Sequence, residues 1–437
     1  MATASKPHDT WEFPRVKSVA GPPKGAAGTT YYGAYFYPFT PPGVDPVFAV
    51  IGGRETIIAR PNAKTGLEII AYFHDDLVFQ SESLCSAAWT RCPTTGDPLL
   101  AVGGAAGIIK ILNIKTGKVV QTLTGHGDEI MEILLSPIDQ TLLASASADS
   151  TVRIWSIDPA HSRQPCALVC AGEGHKETIL SIAFHSSGRY LLSGGMDHIV
   201  NLWVLPDLPA PSTGSDNPIT LHYPHFSTSM VHSNYIDCLF FHGDYILSKA
   251  AKESRIVLWA IDGFTSRADP PTAAEAPTTH EWCETRSAWG GGFERMCQFE
   301  ITYTDPFFMR FSLFTRPGCH PMLAMGSTVG RVNLWDLCRT EVAARLPRIG
   351  GDLATSVSPA GDSGADSAAT LSGLAQGLKI SEGKKDVLGD PYGVTKPHHH
   401  LDIPKVKTTI RHIAFSQGGE YMVMVGEGSM ICICKRW

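Results

Sequence analysis

The segment 125–155, GHGDEIMEILLSPIDQTLLASASADSTVRIW, is followed at 174–203 by a second copy of the same pattern, GHKETILSIAFHSSGRYLLSGGMDHIVNLW. Each copy begins with Gly-His and ends with Trp, and each has an Asp six residues before that Trp and a Ser four residues before that Asp. The repeated residues are His126, Ser145, Asp149 and Trp155 in the first copy, and His175, Ser193, Asp197 and Trp203 in the second. Short apolar runs bounded by turn residues are typical of antiparallel strands joined by tight hairpins. In such a unit the His can hydrogen-bond to the Asp and the Ser, so we interpret these residues as structural rather than catalytic.

The two copies resemble the WD-repeat signature, in which four strands form one blade and the unit recurs about every 40 to 45 residues. With this template, degenerate copies can be recognised at 32–60, 86–114, 234–259, 306–335 and 408–437. The copy at 234–259 has Glu253 in place of the Asp. Seven units predict an all-β protein, namely a seven-bladed WD-repeat β-propeller with long inter-strand and inter-blade insertions. Seven blades of about 43 residues need only roughly 300 residues.

The remaining residues are assigned to a tail and to three insertions. Residues 1–29 are expected to form a flexible N-terminal tail, and residues 30–437 are expected to form the propeller. The insertions, at about 205–222, 263–295 and 346–405, are interpreted as loops because they are poor in apolar residues, and much of 350–395 is expected to be mobile. The ring is expected to close by pairing a strand near one terminus with the blade at the other, since an unpaired edge invites aggregation.

The composition is that of a soluble globular protein. Of 437 residues, 43% are hydrophobic and 18% are charged, and the net charge of -6 gives no general attraction to nucleic acid. Eleven cysteines have no zinc-type spacing, and Cys432 and Cys434 are expected on one face of a strand, so buried free thiols are predicted. The odd cysteine count and the lack of a signal-like apolar core near the N-terminus favour a reducing compartment. No apolar run approaches the roughly 18 to 20 residues that span a bilayer. We therefore expect an intracellular protein with no membrane contact and no sequence-specific nucleic-acid binding.

The mouth of the predicted ring is the candidate binding site, because the inner strand of each blade delivers one residue near its start to the rim of the channel. Aligning ILSIAF (179–184) with the other inner strands gives Tyr32, Cys85, Met131, Leu180, Asp237, Arg310 and Arg411 at this position. Charged residues where neighbouring blades have Leu or Met are not expected to be core. Together with the aromatic residues Tyr32, Phe307 and Phe308, they predict a site for a peptide with a cationic group. One of the two phenylalanines is expected simply to pack within its blade.

Several segments resemble the EED or extra sex combs family of Polycomb histone methyltransferase subunits. They are HYPHFSTSMVHSNYIDC (222–238), GHKETILS, SGGMDHIVNLW and PFFMRFS, and the resemblance covers about residues 30–260 and 300–437. The resemblance implies an aromatic cage for trimethyl-lysine of histone H3 at Tyr32, Cys85, Phe307 and Phe308, and a peptide rim at Met131, Asp237, Arg310 and Arg411. A quaternary ammonium cannot donate hydrogen bonds, so aromatic faces stabilise it, by about 0.5 to 2 kcal/mol per contact. Cys85 departs from the family pattern, because animal members have Tyr at this position.

The same resemblance implies partners and a location. It describes a nuclear, non-catalytic scaffold and histone-tail reader that binds a helical segment of an Enhancer-of-zeste-type SET-domain methyltransferase on the opposite face and stimulates it allosterically. A Suppressor-of-zeste-type subunit is a further implied partner. The repeats alone also fit a WD-repeat adaptor of another class, such as a substrate receptor of a ubiquitin ligase.

An enzyme is the third hypothesis, and it would need a nucleophile with a base in reach or a set of metal ligands. The histidines of the repeats are already assigned to contacts inside blades. The run from His398 to His400 is interpreted as solvated, because adjacent side chains diverge. We therefore expect no catalytic residue, no metal and no cofactor.

Overall fold

The computed structural model describes residues 13–20, 28–41, 43–75, 83–278, 284–340, 390, 392–404 and 407–436. These residues form seven sheets, one for each predicted blade, which confirms the all-β propeller fold. All of their strand pairs are antiparallel except Cys166–Cys170 with Ile219–Leu221 and Phe293–Glu300 with Val394–Thr395, which are parallel. Helical structure within the described residues is limited to three short 3-10 turns, Pro159–His161, Ala273–Glu275 and Leu337–Arg339. Within this part of the chain, no helix is long and apolar enough to cross a membrane. The expected mobility of 350–395 falls almost wholly outside the described residues.

The blades are numbered along the chain, and the first strand, β1 (Arg15–Ala20), belongs to blade 7. Blade 1 contains β2 (Gly33–Phe36), β3 (Phe48–Gly52), β4 (Glu55–Asn62) and β5 (Gly66–His74). Blade 2 contains β6 (Leu84–Arg91), β7 (Pro98–Gly104), β8 (Ile109–Asn113) and β9 (Lys118–Leu123). Blade 3 begins with β10 (Ile130–Leu135), β11 (Leu142–Ser147), β12 (Val152–Ser156) and β13 (Cys166–Cys170). Blade 4 begins with β14 (Ile179–Phe184), β15 (Tyr190–Gly195) and β16 (Val200–Val204); its fourth strand, β18 (Phe226–Thr228), follows β17 (Ile219–Leu221) in the chain.

The second half of the chain continues this order. Blade 5 begins with β19 (Ile236–His242), β20 (Tyr245–Ala250) and β21 (Arg255–Ile261); β22 (Thr285–Ser287) separates these from its fourth strand, β23 (Phe293–Glu300). Blade 6 begins with β24 (Ser312–Phe314), β25 (Met322–Gly326) and β26 (Arg331–Asp336); β27 (Val394–Thr395) precedes its fourth strand, β28 (His399–Asp402). Blade 7 contains β29 (Ile410–Phe415), β30 (Tyr421–Gly426), β31 (Ile431–Lys435) and β1.

Ring closure joins the two ends of the chain. Strand β1 pairs antiparallel with β31, from Arg15 opposite Lys435 to Ala20 opposite Ile431. The expected closure is therefore confirmed, and Arg15–Ala20 is a strand of blade 7 rather than part of a flexible tail. The pairing covers the edge that β31 would otherwise expose.

Three blades contain the same hydrogen-bonded chain of four side chains. In blade 3, His126 Nδ1 lies 2.9 Å from Asp149, His126 Nε2 lies 2.7 Å from Ser145, and Trp155 Nε1 donates to the Ser145 hydroxyl at 2.7 Å. Blade 4 repeats these contacts with His175, Ser193, Asp197 and Trp203. Blade 5 repeats them with His232, Ser248, Glu253 and Trp259, of which His232 and Ser248 were not assigned from the sequence. The structural interpretation of the repeated His and Asp residues is confirmed.

The hydrophobic core lies between neighbouring blades. Trp155 of blade 3 packs in one cluster with Ile111 of blade 2, and Trp203 of blade 4 packs in the next cluster with Ile154 of blade 3. A blade therefore buries its apolar surface only when its neighbours are present. Cys432 and Cys434 share the cluster between blades 6 and 7, as their alternation in the sequence predicts. They and the other cysteines in the described part of the chain are free thiols.

The three insertions contribute strands as well as loops, which corrects their interpretation as loops alone. Strand β17, from the insertion at 205–222, pairs with β13 of blade 3. Strand β22, from 263–295, pairs with β18 of blade 4, and β27, from 346–405, pairs with β23 of blade 5. Each insertion interrupts the connection between the third and fourth strands of its own blade and covers the outer edge of the preceding blade. Blades 3, 4 and 5 are therefore five-stranded.

The histidine run lies at β28 of blade 6. His398 Nδ1 accepts a hydrogen bond from the Asp336 backbone N–H at 3.0 Å, and the His399 ring stacks on Phe13 at 4.5 Å. His400 is exposed, and its Nδ1 lies 2.8 Å from Asn333 Oδ1. The expected solvated run is thus wrong for His398 and His399, which are half-buried because they pack on neighbouring strands.

Candidate functional site

Five inner strands begin with the same irregularity. The antiparallel register shifts at the second residue of the strand, which is Cys85 in β6, Met131 in β10, Leu180 in β14, Asp237 in β19 and Arg411 in β29. Such a bulge bends the strand and redirects a side chain. Tyr32 lies one residue before the corresponding strand β2, and Arg310 lies two residues before β24. The contacts described below bring all seven aligned residues together at one end of the channel.

Three aromatic rings meet at this mouth. The Tyr32 and Phe308 ring centroids are 5.6 Å apart with an interplanar angle of 85°, and those of Phe307 and Phe308 are 6.2 Å apart at 81°. Phe307 is 49% exposed, whereas Phe308 is only 5% exposed. Successive rings are therefore nearly perpendicular and meet edge to face, which is a favourable arrangement for aromatic pairs.

Cys85 adjoins the aromatic rings but is chemically different from them. Its half-buried side chain packs in a small cluster with Met131, Leu180 and Phe308. Burial raises the pKa of the Cys85 thiol to about 12, so the thiol is neutral at physiological pH. This part of the mouth therefore offers a small, polarizable and uncharged surface.

Arg310 does not lie on an open peptide rim. Its side chain is buried and forms an ion pair with Glu132, and its guanidinium lies 4.8 Å from the Phe308 ring centroid. The same guanidinium donates to the backbone carbonyls of Met131 at 3.2 Å and Leu180 at 3.1 Å. Arg310 therefore joins the inner strands of blades 3 and 4 beneath the mouth, and a peptide on the surface does not meet it directly.

Asp237 is also buried rather than exposed on the rim. Lys249 Nζ donates to both of its carboxylate oxygens, at 2.8 and 2.9 Å, and both side chains are 0% exposed. The backbone N–H of Phe308 donates to Asp237 Oδ2 at 2.9 Å. A buried charge is stable only when it is paired, and Lys249 supplies that partner.

Arg411 is the charged residue that remains at the surface of the mouth. It donates to the backbone carbonyl of Phe307 at 2.9 Å and forms an ion pair with Glu427 at 2.6 Å. Its guanidinium lies 5.9 Å from the Tyr32 ring centroid. Met131, the fourth expected rim residue, is buried against Phe308. Of the expected rim residues, Arg411 alone is accessible to a peptide.

The acidic and basic partners of these residues, Glu132, Lys249 and Glu427, were not predicted from the sequence. A signal for Glu132 lies in the position directly after the bulge, where four of the five bulged strands have a polar acceptor. There Ser86 accepts a hydrogen bond from Ile133 N–H, Glu132 from Ile182 N–H, Ser181 from Leu239 N–H and His412 from Ala34 N–H, each from the inner strand of the next blade. Burial lowers the pKa of His412 to about 3, so its neutral ring can act as the acceptor. A polar residue at the position directly after the bulge therefore has a structural role, because it binds the next blade.

One group of side chains in the described residues has the types and proximity of metal ligands. Ligand atoms of His320, Asp336 and Cys338 lie within 4.8 Å of one another. Asp336 Oδ2, however, already pairs with His320 at 2.8 Å and with Arg339 at 3.1 Å, and Asp336 Oδ1 accepts from the Cys338 N–H at 3.0 Å. An arginine paired to the carboxylate opposes a divalent cation, so we interpret the group as an ion-pair cluster.

A second concave surface lies at the opposite end of the inner strands. It is a groove of about 730 Å³. Its lining includes Tyr37 and Phe39, which follow β2, Arg91 at the end of β6, Pro317 after β24 and Gln417 after β29. Since the mouth lies where these strands begin, the groove lies on the other face of the propeller. The Arg91 guanidinium is 4.2 Å from the Phe39 ring centroid, so the groove combines apolar surface with a positive charge.

Comparison with known proteins identifies relatives. Residues 117–156 and 167–204 match the family described as WD domain, G-beta repeat. The chain is 40% identical to the Polycomb protein EED of Chaetomium thermophilum over 332 residues, which cover 72% of this chain and 58% of that protein. It is 32% identical to the Polycomb group protein FIE1 of Oryza sativa subsp. japonica over 302 residues, which cover 67% of this chain and 72% of the relative.

Solved structures agree with these relatives. A chain in the crystal structure of the Chaetomium thermophilum polycomb repressive complex 2 matches with a TM-score of 0.82 and 34% identity, and the match covers 98% of both chains. A chain in the structure of this complex with H3K27me3 and H3K27M matches with a TM-score of 0.81 at 34% identity, again over 98% of both chains. The present chain thus spans 58% of the Chaetomium EED sequence but nearly the whole of the matching chains in the complexes. With its seven blades, its WD repeats and these relatives, the chain belongs to the EED and extra sex combs family of Polycomb WD-repeat proteins.

Proposed function

We propose that the chain is the histone-tail reader and scaffold of a Polycomb repressive methyltransferase complex, and that its mouth binds trimethyl-lysine of histone H3. The perpendicular rings of Tyr32, Phe308 and Phe307 carry the proposal, because aromatic surfaces around one space suit a quaternary ammonium. The similar complex solved with H3K27me3 supports this choice of ligand. Cys85 occupies the remaining side of the space and leaves the aromatic enclosure incomplete.

Arg411 is the rim residue that we assign to the peptide backbone. Its guanidinium already holds the Phe307 carbonyl, and its charge is balanced by Glu427. This balance lets a cationic peptide approach a mouth that contains an arginine. Arg310, Asp237 and Met131 act from below, by supporting the strands that carry the rings.

As a member of this family the chain is a non-catalytic propeller, so its effect on methylation requires a partner. We propose that an Enhancer-of-zeste-type SET-domain methyltransferase places a helical segment in the groove on the opposite face. The apolar lining at Tyr37, Phe39 and Pro317 suits the apolar stripe of an amphipathic helix. We further assign a Suppressor-of-zeste-type subunit to the complex, a nuclear location to the chain, and allosteric stimulation of the methyltransferase to the peptide-bound mouth.

Titration of the purified chain with two histone H3 peptides, one carrying the H3K27me3 modification and one unmodified, tests the reader function. We expect the trimethylated peptide to bind about tenfold more tightly, since each cation–π contact contributes about 0.5 to 2 kcal/mol. Phe307→Ala should remove most of this preference without lowering the melting temperature, because the Phe307 side chain is half exposed. Tyr392→Ala, which removes an exposed aromatic side chain outside the mouth, is the matched control. Equal affinity of the wild-type chain for both peptides would contradict the proposal.

The scaffold function is tested separately by co-purification with a SET-domain catalytic subunit. A WD-repeat adaptor of another class, such as a ubiquitin-ligase receptor, should not retain that subunit. We expect retention, and we expect Phe39→Glu to abolish it, because the substitution removes an apolar ring from the groove and neutralises the adjacent charge of Arg91. Retention that is unchanged in Phe39→Glu would show that the groove is not the docking site.

A further inference from the structure

Phe308 has an unusual backbone conformation for an aromatic residue. Its φ angle is +62°, in the left-handed region that glycine adopts most readily. Side chains with a Cβ pay a steric cost there, and the conformation persists only where the surroundings hold it. The Phe308 ring lies between the Tyr32 and Phe307 rings and contacts both. The backbone conformation of Phe308 therefore determines the direction of the middle ring of the three.

Blade 5 supplies the group that holds this backbone. The Phe308 N–H donates to Asp237 Oδ2 at 2.9 Å, across 71 residues of sequence. Asp237 occupies the bulge of β19, which turns its side chain toward blade 6. A charged acceptor makes a stronger hydrogen bond than a neutral one, and this bond is shielded from water because Asp237 is completely buried.

Lys249 in turn holds the carboxylate of Asp237. Its ammonium donates to both carboxylate oxygens, so it sets the orientation in which Oδ2 faces the Phe308 N–H. Lys249 is itself completely buried and neighbours Ser248 of the His232 hydrogen-bond chain in β20. The Asp237–Lys249 ion pair is far more costly to bury than two apolar residues of the same size. A contribution to stability therefore does not explain why this ion pair is buried.

The Phe308 ring is confined on its other sides as well. The Arg310 guanidinium lies 4.8 Å from the ring centroid, and the Arg310 backbone N–H donates to the Arg411 carbonyl at 2.9 Å. The centroids of the Phe308 and Tyr32 rings, which meet edge to face, are 5.6 Å apart. A change in the Phe308 backbone would therefore alter the relation of the ring to Tyr32 and Phe307 together.

We propose that Asp237, oriented by Lys249, is a positioning residue for the methyl-lysine site: it holds the Phe308 backbone in its left-handed conformation and so directs the ring into the mouth. The effect of Asp237 on peptide binding rests on the proposed reader function. The positioning of the Phe308 backbone is a property of the free protein and does not rest on it. The positioning and the effect on binding can therefore be tested separately.

Two double variants of the full chain separate the hydrogen bond from the buried charges. Asp237→Asn with Lys249→Met removes both charges but keeps a side-chain oxygen for the Phe308 N–H. Asp237→Leu with Lys249→Met removes both charges and the acceptor. Since a buried ion pair can often be replaced by apolar residues with little loss of stability, both variants are expected to fold, and thermal unfolding verifies this. Glu253→Gln, in the same blade but away from Phe308, controls for general weakening of blade 5.

The first measurement is hydrogen exchange at the Phe308 amide in the absence of peptide. Selective labelling of the phenylalanine amides makes this exchange observable. We expect protection in the wild type, in Asp237→Asn/Lys249→Met and in Glu253→Gln, and loss of protection in Asp237→Leu/Lys249→Met. Equal protection in the two folded double variants would overturn the positioning role. This readout is independent of any ligand, so it remains decisive even if trimethyl-lysine does not bind.

The second measurement is the ratio of affinities for trimethylated and unmodified H3 peptides. We expect Asp237→Leu/Lys249→Met to lower this ratio roughly tenfold, equivalent to the loss of one good cation–π contact, and Asp237→Asn/Lys249→Met to restore most of it. Two folded variants with the same ratio as the wild type would overturn the link between Asp237 and binding. Absence of any preference in the wild type would instead reject the reader function and leave the exchange result standing.

Should both double variants fail to fold, Lys249→Arg is the second route, because it keeps both buried charges but changes the geometry of the donors that orient Asp237. A reoriented Asp237 should then reduce protection of the Phe308 amide more than that of amides elsewhere in blade 6. Uniform loss of protection across blade 6 would contradict the proposal, because it would indicate a purely structural role.

Discussion

Phe307 and Phe308 are adjacent in sequence, yet their side chains have different surroundings. The positive φ angle of Phe308 turns its ring onto Arg310 and Met131, whereas Phe307 is half exposed and its carbonyl accepts a hydrogen bond from Arg411. The sequence identifies the pair as candidates for the mouth because both precede an inner strand. It does not predict which ring is buried, since that depends on a hydrogen bond to a residue of another blade.

Cys85→Tyr is the residue-scale prediction. The Cys85 thiol is small, whereas the family resemblance places an aromatic residue here in animal members. A tyrosine that projects into the mouth would add a further ring face, so we expect the affinity for trimethylated H3 peptide to rise about three- to tenfold. Peptide titration measures this, with Cys92→Tyr, just beyond the far end of β6, as the matched control. An unchanged affinity in a folded Cys85→Tyr variant would place the methyl-lysine away from Cys85.

At the scale of elements, the inner strands share more than their apolar pattern. In the five bulged strands the bulge redirects the second residue, and in four of them the residue after it accepts a hydrogen bond from the next blade. Alignment of the inner strands therefore predicts which residues lie together at the mouth, because the bulge recurs at the same position of each of these five strands. It does not predict that Glu132 bonds simultaneously to Ile182 and to Arg310, because those residues come from blades 4 and 6.

The outer strands follow a different rule. Each insertion adds a fifth strand to the blade before it, at β17, β22 and β27. These strands are only two or three residues long, too short for a period-two pattern to identify them in a polar segment. Their stability comes from the edge on which they lie, and that edge is a tertiary feature.

The His232–Glu253 contact of blade 5 predicts a pH dependence at the scale of the blade. Burial alone would raise the pKa of Glu253, but the hydrogen bond and charge attraction from His232, together with the hydrogen bonds from Ser233, outweigh it and hold the pKa at about 2. In the unfolded chain the pKa of a glutamate is about 4.3, so the contact stabilises the fold above that pH and its contribution is lost as the pH falls toward 2. Burial lowers the pKa of His232, so the ring stays neutral in the folded blade. As the pH falls, this histidine is protonated in the unfolded chain before it is protonated in the blade, which further destabilises the fold.

Urea unfolding of the wild type and of Glu253→Gln between about pH 7 and pH 3.5 measures this effect. At neutral pH we expect Glu253→Gln to lower the free energy of unfolding by about 1 to 3 kcal/mol, because a charged hydrogen bond is lost. The difference between the two proteins should shrink below about pH 5. A difference that stays constant over this range would mean that Glu253 is not ionised in the folded blade.

At the scale of the whole molecule, the ring is held by the pairing of its two termini. Apart from the small cluster at the mouth, the core clusters of the described residues each join neighbouring blades, and blades 7 and 1 share one that includes Ile433 and Ile57. Strand β1 completes blade 7 from the other end of the chain. Cooperative stability of the propeller therefore depends on a strand that lies outside the repeats.

Removal of residues 1–20 is the prediction at this scale. The deletion exposes the edge of β31 and removes a strand with five paired positions. We expect the free energy of unfolding to fall by roughly 2 to 5 kcal/mol, from the lost backbone hydrogen bonds, and the protein to self-associate through the open edge. Calorimetry and light scattering measure the two effects. Replacement of residues 1–12 alone should leave both unchanged, and an unaffected melting temperature in the longer deletion would show that β1 is dispensable.

The local pattern of the chain determines its seven blades, the four-residue hydrogen-bonded chains of blades 3 and 4, and the phase that brings Tyr32, Cys85 and Phe308 to one mouth. These features depend on spacing within a blade, and the sequence contains that spacing. Tertiary structure alone decided that Asp237 and Arg310 are buried, although their charges suggested an exposed rim. Their partners are Lys249 and Glu132, and Glu132 lies 178 residues from Arg310 in a different blade. Whether a charge is buried depends on the partner that the folded ring brings to it, and no local pattern contains that information.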